Sequence, residues 1–295
     1  MSSKNNGSSL AYRIISLVIL VVLAFLFLFP LYWIVTGSLK TPQAINSASP
    51  DWWPKEFTLR NYETLFSKRT APLFQIGPIT GPTIPGAIRW LINTVFMSVM
   101  AMLLTCLTAS LAGYALAKKR FTGRFLIFSL IVAAMALPKQ VILIPLIREM
   151  SFLKMYDMIW AVILPTVGWP FGVFLMKQFA ESIPGEMLEA ARIDGASEFR
   201  TFTTVVFPMI KPGVGALAIF TFINSWNDYF LQLIMLTSSN KLTISLGIAT
   251  MQAENSTDYG LIMAGAALAA VPIIIVFLIF QKYFTKGITM GAVKG

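Results

Sequence analysis

Apolar and polar residues alternate along this chain in long blocks. Six blocks are almost wholly apolar, spanning residues 14–34, 91–117, 125–147, 159–179, 213–236 and 261–283. A helix needs about 20 residues to cross a hydrocarbon core of roughly 30 Å, and each block reaches that length. Backbone polar groups find no water in lipid, so the pattern predicts a helix over every block. Polar segments at 37–89, 181–212 and 237–260 interrupt the series, and a short tail, 284–295, closes it. No linker divides the chain. The expected architecture is all-α: one membrane domain over 1–295 with six spanning helices.

The first block is longer than the apolar core of a secretory signal, and no small-x-small cleavage site follows it directly. It is expected to remain as an anchor helix. Seven prolines between 42 and 85, with the run "IGPITGPTIPG", predict irregular structure with short helical pieces in the segment 37–89.

Composition supports this picture. Hydrophobic residues make up 56% of the 295 and charged residues 12%, against about 25% in soluble domains. The net charge of +10 does not point to nucleic acid, because lysine and arginine punctuate the apolar blocks instead of gathering on one face. With both ends inside, six of the nine outer basic residues share the one long segment 37–89, where the positive-inside rule is weak. The short segments therefore decide, and they predict cytoplasmic termini. Tyr32, Trp33, Trp90, Trp160, Trp226 and Tyr229 then fall near the outer boundary, as an aromatic belt would. The sequence has no histidine and one cysteine, Cys106, which removes histidine catalysis, histidine metal sites and a disulfide framework.

The charged segment 181–212 reads as a hairpin. Ser182 is placed to cap a first helix, with Pro184 in its first turn and Glu186 and Glu189 near its positive end. Gly195 suits the left-handed position that ends a helix. Ser197 is placed to cap a second helix, in which Phe199, Phe202, Val206 and Met209 recur at helical spacing. Pro208 and Pro212 are expected to break the chain before the fifth span. Two short helices would lie along the inner face, with Glu189 and Arg192 pointing away. On these residues alone, an ordinary solvated connector is the plainer reading.

"IPGEMLEAARIDGAS" followed by "FPMIKPG" resembles the EAA loop of the permeases of ABC importers. "SLKTPQAI", "FTLRNYETLF", "SLAGYALAKKRFTGR", "WNDYF" and "GITMGAVKG" resemble the carbohydrate permeases of the maltose-transporter G type, over nearly the whole chain. The resemblance implies the type I ABC importer permease fold. It also implies an importer that moves a sugar, of which an oligosaccharide is the expected kind, across a bacterial or archaeal cytoplasmic membrane by alternating access. Its partners would be a second related permease, two cytoplasmic ATPase subunits and an extracytoplasmic solute-binding protein. ATP and magnesium would belong to the ATPase, since no Gly-x-x-x-x-Gly-Lys-Ser/Thr loop occurs here. This chain would be a transport subunit with no catalytic residue, no cofactor and no metal.

The same resemblance implies that Glu189, Ala190, Ala191, Arg192, Asp194 and Gly195 couple the chain to the ATPase. Gly287, Gly291 and Lys294 match a tail that enters the interface between the two ATPase subunits. The segment 237–260 matches an outer loop that reaches into the docked binding protein. Ionisable groups inside a membrane are costly and usually functional. Lys139 and Asp228 are such groups. Asn224, Trp226, Asn227 and Asp228 offer the hydrogen bonds and aromatic face that a sugar path needs. An ion-coupled secondary transporter with Asp228 and Lys139 as its relay is the alternative. It would show paired broken helices in inverted repeats, and the sequence has no such pairing.

Overall fold

The computed structural model describes residues 6–49, 51–76, 78–254 and 258–292. In chain order the helices begin with α1 (Asn6–Ser38), α2 (Pro42–Ile45), α3 (Arg60–Ser67) and α4 (Gly86–Lys118). They continue with α5 (Arg124–Ala134), α6 (Leu143–Phe152), α7 (Trp160–Val167), α8 (Pro170–Glu181), α9 (Gly185–Ile193) and α10 (Glu198–Thr201). α11 (Phe207–Asn227), α12 (Tyr229–Met235), α13 (Ile244–Glu254) and α14 (Tyr259–Ala292) complete the series. Two small two-stranded ladders stand between α3 and α4, one of them pairing Gln75 with Thr80 and Ile76 with Ile79. The Gly/Pro-rich run is thus turned by short strands that its prolines concealed.

The contacts divide the chain into two compact units, Met1–Thr70 with Ile248–Ala270 and Ala71–Gly247 with Val271–Gly295. In the first unit, the C-terminal end of α1 is locked by Asn61, whose Nδ2 donates to the carbonyls of Ser38 (2.8 Å) and Lys40 (2.9 Å). Lys40 is itself buried, 4.3 Å from the Trp33 ring centre, and donates to the Asp51 carbonyl.

The second unit is built on α4. Its buried side includes Ala101, Thr105, Ala109 and Gly113, four small residues at intervals of four, so a neighbouring backbone can approach closely. α8 takes that approach: a Cβ on Gly113 would stand 2.7 Å from the Lys177 amide nitrogen. Cys106, Tyr114, Met176, Leu217, Leu188 and Phe202 belong to one core that runs from the spans into the hairpin.

Five helical stretches among the described residues are long and apolar enough to cross a membrane: Leu10–Ser38, Gly86–Lys118, Trp160–Glu181, Glu198–Asn227 and Tyr259–Gln281. The third expected span, 125–147, is not one straight helix. α5 ends at Ala134 and the chain bends by 101° before continuing from Lys139. Pro138 is the cause, because its ring disfavours helical backbone at Leu137. Lys139, expected within that span, sits at the break.

The junction of hairpin and fifth span is corrected as well. Pro208 and Pro212 do not break the chain; Glu198–Asn227 is continuous, with Pro208 in the first turn of α11 and Pro212 inside it. A π-helical turn, Phe202–Val206, precedes Pro208. Its wider coil makes room for the ring that would otherwise strike the carbonyl four residues back. The second half of the hairpin is therefore the root of a span. At the far end, the expected 213–236 run stops at Asn227 and restarts as α12.

Candidate functional site

The hairpin differs from its expected capping at one end and matches it at the other. Pro184, not Ser182, precedes α9, with no side-chain cap; the Ser182 hydroxyl donates to the Phe179 carbonyl and closes α8 instead. Gly195 takes the left-handed conformation (φ 71). The Gly195 amide donates to the Arg192 carbonyl (3.0 Å) and the Ala196 amide to the Ala191 carbonyl (2.9 Å), the paired bonds of a Schellman ending. Ser197 Oγ accepts from the Arg200 amide and caps α10, as its position predicts.

α9 has two faces. Leu188 and Ala191 are buried, whereas Glu189, Ala190, Arg192, Asp194 and Gly195 are exposed. Phe202 and Val206 are buried, but Phe199 is 74% exposed and Ile193 87%. Large apolar side chains held in the open among charged ones form the kind of surface that another protein covers.

Two lysines at the end of α4 tie the hairpin down. Lys118 Nζ donates to the carbonyls of Glu181 (3.1 Å) and Ile183 (2.5 Å), at the entrance to α9. Lys119 pairs with Glu198, at the start of α10. Both residues read in the sequence as a basic end to an apolar block. Nothing in their spacing pointed to partners 63 to 79 positions away.

The expected path residues separate into two pairs. Asn224 and Asp228 line a cavity of about 380 Å³, together with Lys139, Thr166, Trp169 and Phe171. Trp226 is corrected: it is buried in the packing of α11, its ring stacked 5.5 Å from that of Phe222. Asn227 is exposed and lies outside the lining. Helical geometry explains the division, since residues four apart share a face and their immediate neighbours turn away. Lys139 Nζ donates to Asp228 Oδ2 at 3.0 Å, and Trp169 and Phe171 stand 5.0 Å apart at the wall.

The loop after α12 is held from α4. Trp90 Nε1 donates to the Ser239 carbonyl (3.0 Å), and Asn93 Nδ2 to the carbonyls of Asn240 and Leu242 (3.0 and 2.9 Å). The Ile244 amide donates to Thr94 Oγ1 (2.8 Å). Trp90 is therefore a buried clamp and not the interfacial belt residue expected of it. Opposite, Asp157 accepts from the amides of Thr237 (2.8 Å) and Ser238 (3.0 Å), from the Ser238 hydroxyl and from Lys241 Nζ (3.1 Å). The segment 237–260, expected by resemblance to reach into a binding protein, contains α13.

Of the three tail residues, Gly287 and Gly291 lie within the helical backbone of α14, which runs to Ala292. Lys294 lies outside the described residues.

The family model described as "Binding-protein-dependent transport system inner membrane component" matches residues 107–290. The chain is 34% identical over 286 residues to the arabinooligosaccharides transport system permease protein AraQ of Bacillus subtilis (strain 168), covering 96% of each. It is 31% identical to the melibiose/raffinose/stachyose import permease protein MelC of the same organism, covering 96% of this chain and 97% of the relative. Among solved structures, a chain from a crystal structure of a bacterial ABC transporter involved in the import of the acidic polysaccharide alginate is similar, with a TM-score of 0.74 at 22% identity. That match covers 96% of this chain and 99% of the other.

Proposed function

The chain belongs to the family of binding-protein-dependent transport system inner membrane components, and from that premise we propose that it is the permease subunit of an ATP-driven importer of oligosaccharides, coupled to its ATPase through the hairpin 181–212. It is a multi-pass protein of the cytoplasmic membrane and a transport component, not an enzyme. The similarity to permeases named for arabinooligosaccharides and for melibiose, raffinose and stachyose supports the substrate class. A solute-binding protein and an ATPase are its partners in general terms. The proposal adds a second permease, two ATPase subunits that hold ATP and magnesium, and termini on the ATPase side.

One observation carries the coupling. Leu188, Phe202 and Val206 of the hairpin share a core with Tyr114 of α4, Met176 of α8 and Leu217 of α11. A push on the exposed residues Glu189, Arg192, Ile193 and Phe199 therefore reaches the spans through packed side chains, and α10 continues into a span without a hinge. Close-packed interiors transmit displacement and compress little. Rigid elements of this kind suit a gate driven from one side. The cavity at Asn224, Lys139 and Asp228, with the Trp169–Phe171 wall, offers hydroxyl-binding groups and aromatic faces along the path.

The test is to tag the chain, extract it gently from native membranes and identify what accompanies it. A second permease and a Walker-motif ATPase are expected. A chain that emerges alone, and stays alone after crosslinking in the membrane, defeats the proposal.

A further inference from the structure

A groove of about 800 Å³ opens beside the start of α5, away from the cavity and the exposed face of the hairpin. Phe121, Phe125, Leu126 and Phe128 line it, with Arg124 and Lys177. Lys177 is already satisfied: it pairs with Glu181, and its ammonium lies 4.2 Å from the Phe128 ring centre. Arg124 is not. One of its terminal nitrogens makes a single long bond, 3.4 Å, to the Lys119 carbonyl. Neither Arg124 nor the adjacent, exposed Arg120 pairs with a carboxylate among the described residues. The guanidinium fork, matched in shape to a phosphate, is thus largely unused.

The depth of the groove narrows the ligand. The stretch Gly86–Lys118 ends six positions before Arg124, and Arg124 opens the next apolar helix. The arginine therefore stands at the membrane boundary, and the helix carries Phe125, Leu126 and Phe128 into the apolar layer. Phe125 is 83% exposed. A free phosphate would leave this aromatic wall uncovered, and a lipid without net charge would leave the arginines uncompensated. A juxtamembrane cation above an apolar groove fits a molecule with an anionic head and an acyl tail. We infer that this groove binds one anionic phospholipid, its phosphate against Arg124 and an acyl chain along Phe125 and Phe128.

The experiment uses the whole assembly, purified in mild detergent after incubation with equal amounts of phosphatidylglycerol and phosphatidylethanolamine. Native mass spectrometry then counts the lipid retained. Phosphatidylglycerol is expected in preference, and Arg124→Gln should reduce its retention roughly tenfold, the scale of a charge-assisted bond pair. Arg148→Gln, away from the groove, should leave it unchanged, and thermal unfolding shows whether each variant is folded. Equal retention of the two lipids, or an Arg124→Gln assembly that keeps its phosphatidylglycerol, overturns the inference. So does a photocrosslinker at position 125 that captures a protein chain in place of lipid.

Discussion

Lys139 and Asp228 lie 89 positions apart in sequence, and the lysine ammonium donates to the aspartate carboxylate at 3.0 Å. Both residues stand where a helix is interrupted. Lys139 follows Pro138 at the 101° bend, and Asp228 caps α12 after α11 has ended, accepting from the Leu231 amide. The ion pair thus joins two breaks across the mouth of a cavity.

The pair should matter more for transport than for stability. Lys139 is 57% exposed, so solvent screens the attraction and the pair contributes about 1 kcal/mol at most. Lys139→Ala and Asp228→Asn are each expected to slow sugar uptake into vesicles several-fold with little loss of thermal stability. Exchanging the two charges, Lys139→Asp with Asp228→Lys, should recover much of the rate. Wild-type uptake by both single variants would remove the cavity from the path.

Gly195 offers a graded test of the hairpin. A Cβ there would meet nothing within 4 Å, so a substitution acts through the backbone alone. The left-handed conformation costs a residue with a Cβ about 1–2 kcal/mol, less for asparagine. Substrate-stimulated ATP hydrolysis by the assembly should fall in the order glycine, asparagine, alanine, valine. Glu189→Lys, on an exposed side chain, should abolish coupling while the assembly keeps its thermal stability. An assembly that is fully coupled with both Gly195→Val and Glu189→Lys is incompatible with the proposed role of the hairpin.

How far the sequence revealed this molecule depended on the range of each interaction. The Gly195 turn and the Ser197 cap are decided within four residues, and the residues name them correctly. Membrane helices are legible because lipid imposes a length and an apolarity on each one. Trp90 and Trp226 are not legible from sequence, because an indole suits a lipid boundary and a protein interior equally. What decides is the carbonyl of Ser239, 149 positions from Trp90, or the stacked ring of Phe222. Local rule makes Pro208 and Pro212 breakers, and the π-helical turn that admits Pro208 leaves no mark in composition. Lys118 and Lys119 look like any basic end of a span until the hairpin folds against them.

Gly113 measures how closely the spans are packed. A methyl group there would lie 2.7 Å from the Lys177 amide nitrogen and the Met176 carbonyl carbon, backbone atoms that cannot swing aside. Overpacking of this kind costs about 1–3 kcal/mol. Gly113→Ala is expected to lower the midpoint of thermal unfolding in detergent. Gly172→Ala, whose added carbon would meet side-chain atoms at 3.3 to 3.4 Å, should lower it less. The reverse order would mean that the α4–α8 contact is looser than these distances require.

Asp157 sets how the loop after α12 responds to acid. Its burial alone would raise the carboxyl pKa, but hydrogen bonds from Ser238, Thr237 and Lys241 outweigh that and hold it below the usual carboxylate range. A carboxyl depressed on folding adds stability at any pH above its unfolded value of about 3.9, and the contribution fades as pH falls below that value. The clamp should therefore be indifferent to pH between 5 and 7 and weaken in stronger acid. Asp157→Asn keeps a residue that tolerates the left-handed backbone (φ 57) and removes the charge together with one of the two acceptor oxygens. It is expected to cost about 1–2 kcal/mol at pH 7, the scale of hydrogen bonds to a charged group. Thermal unfolding followed from pH 7 to pH 3 should show a constant gap between the two curves down to about pH 4 and a narrowing one below it, as the unfolded wild-type carboxyl becomes protonated. A gap as wide at pH 3 as at pH 7 would show that the variant is weakened by something other than the lost charge.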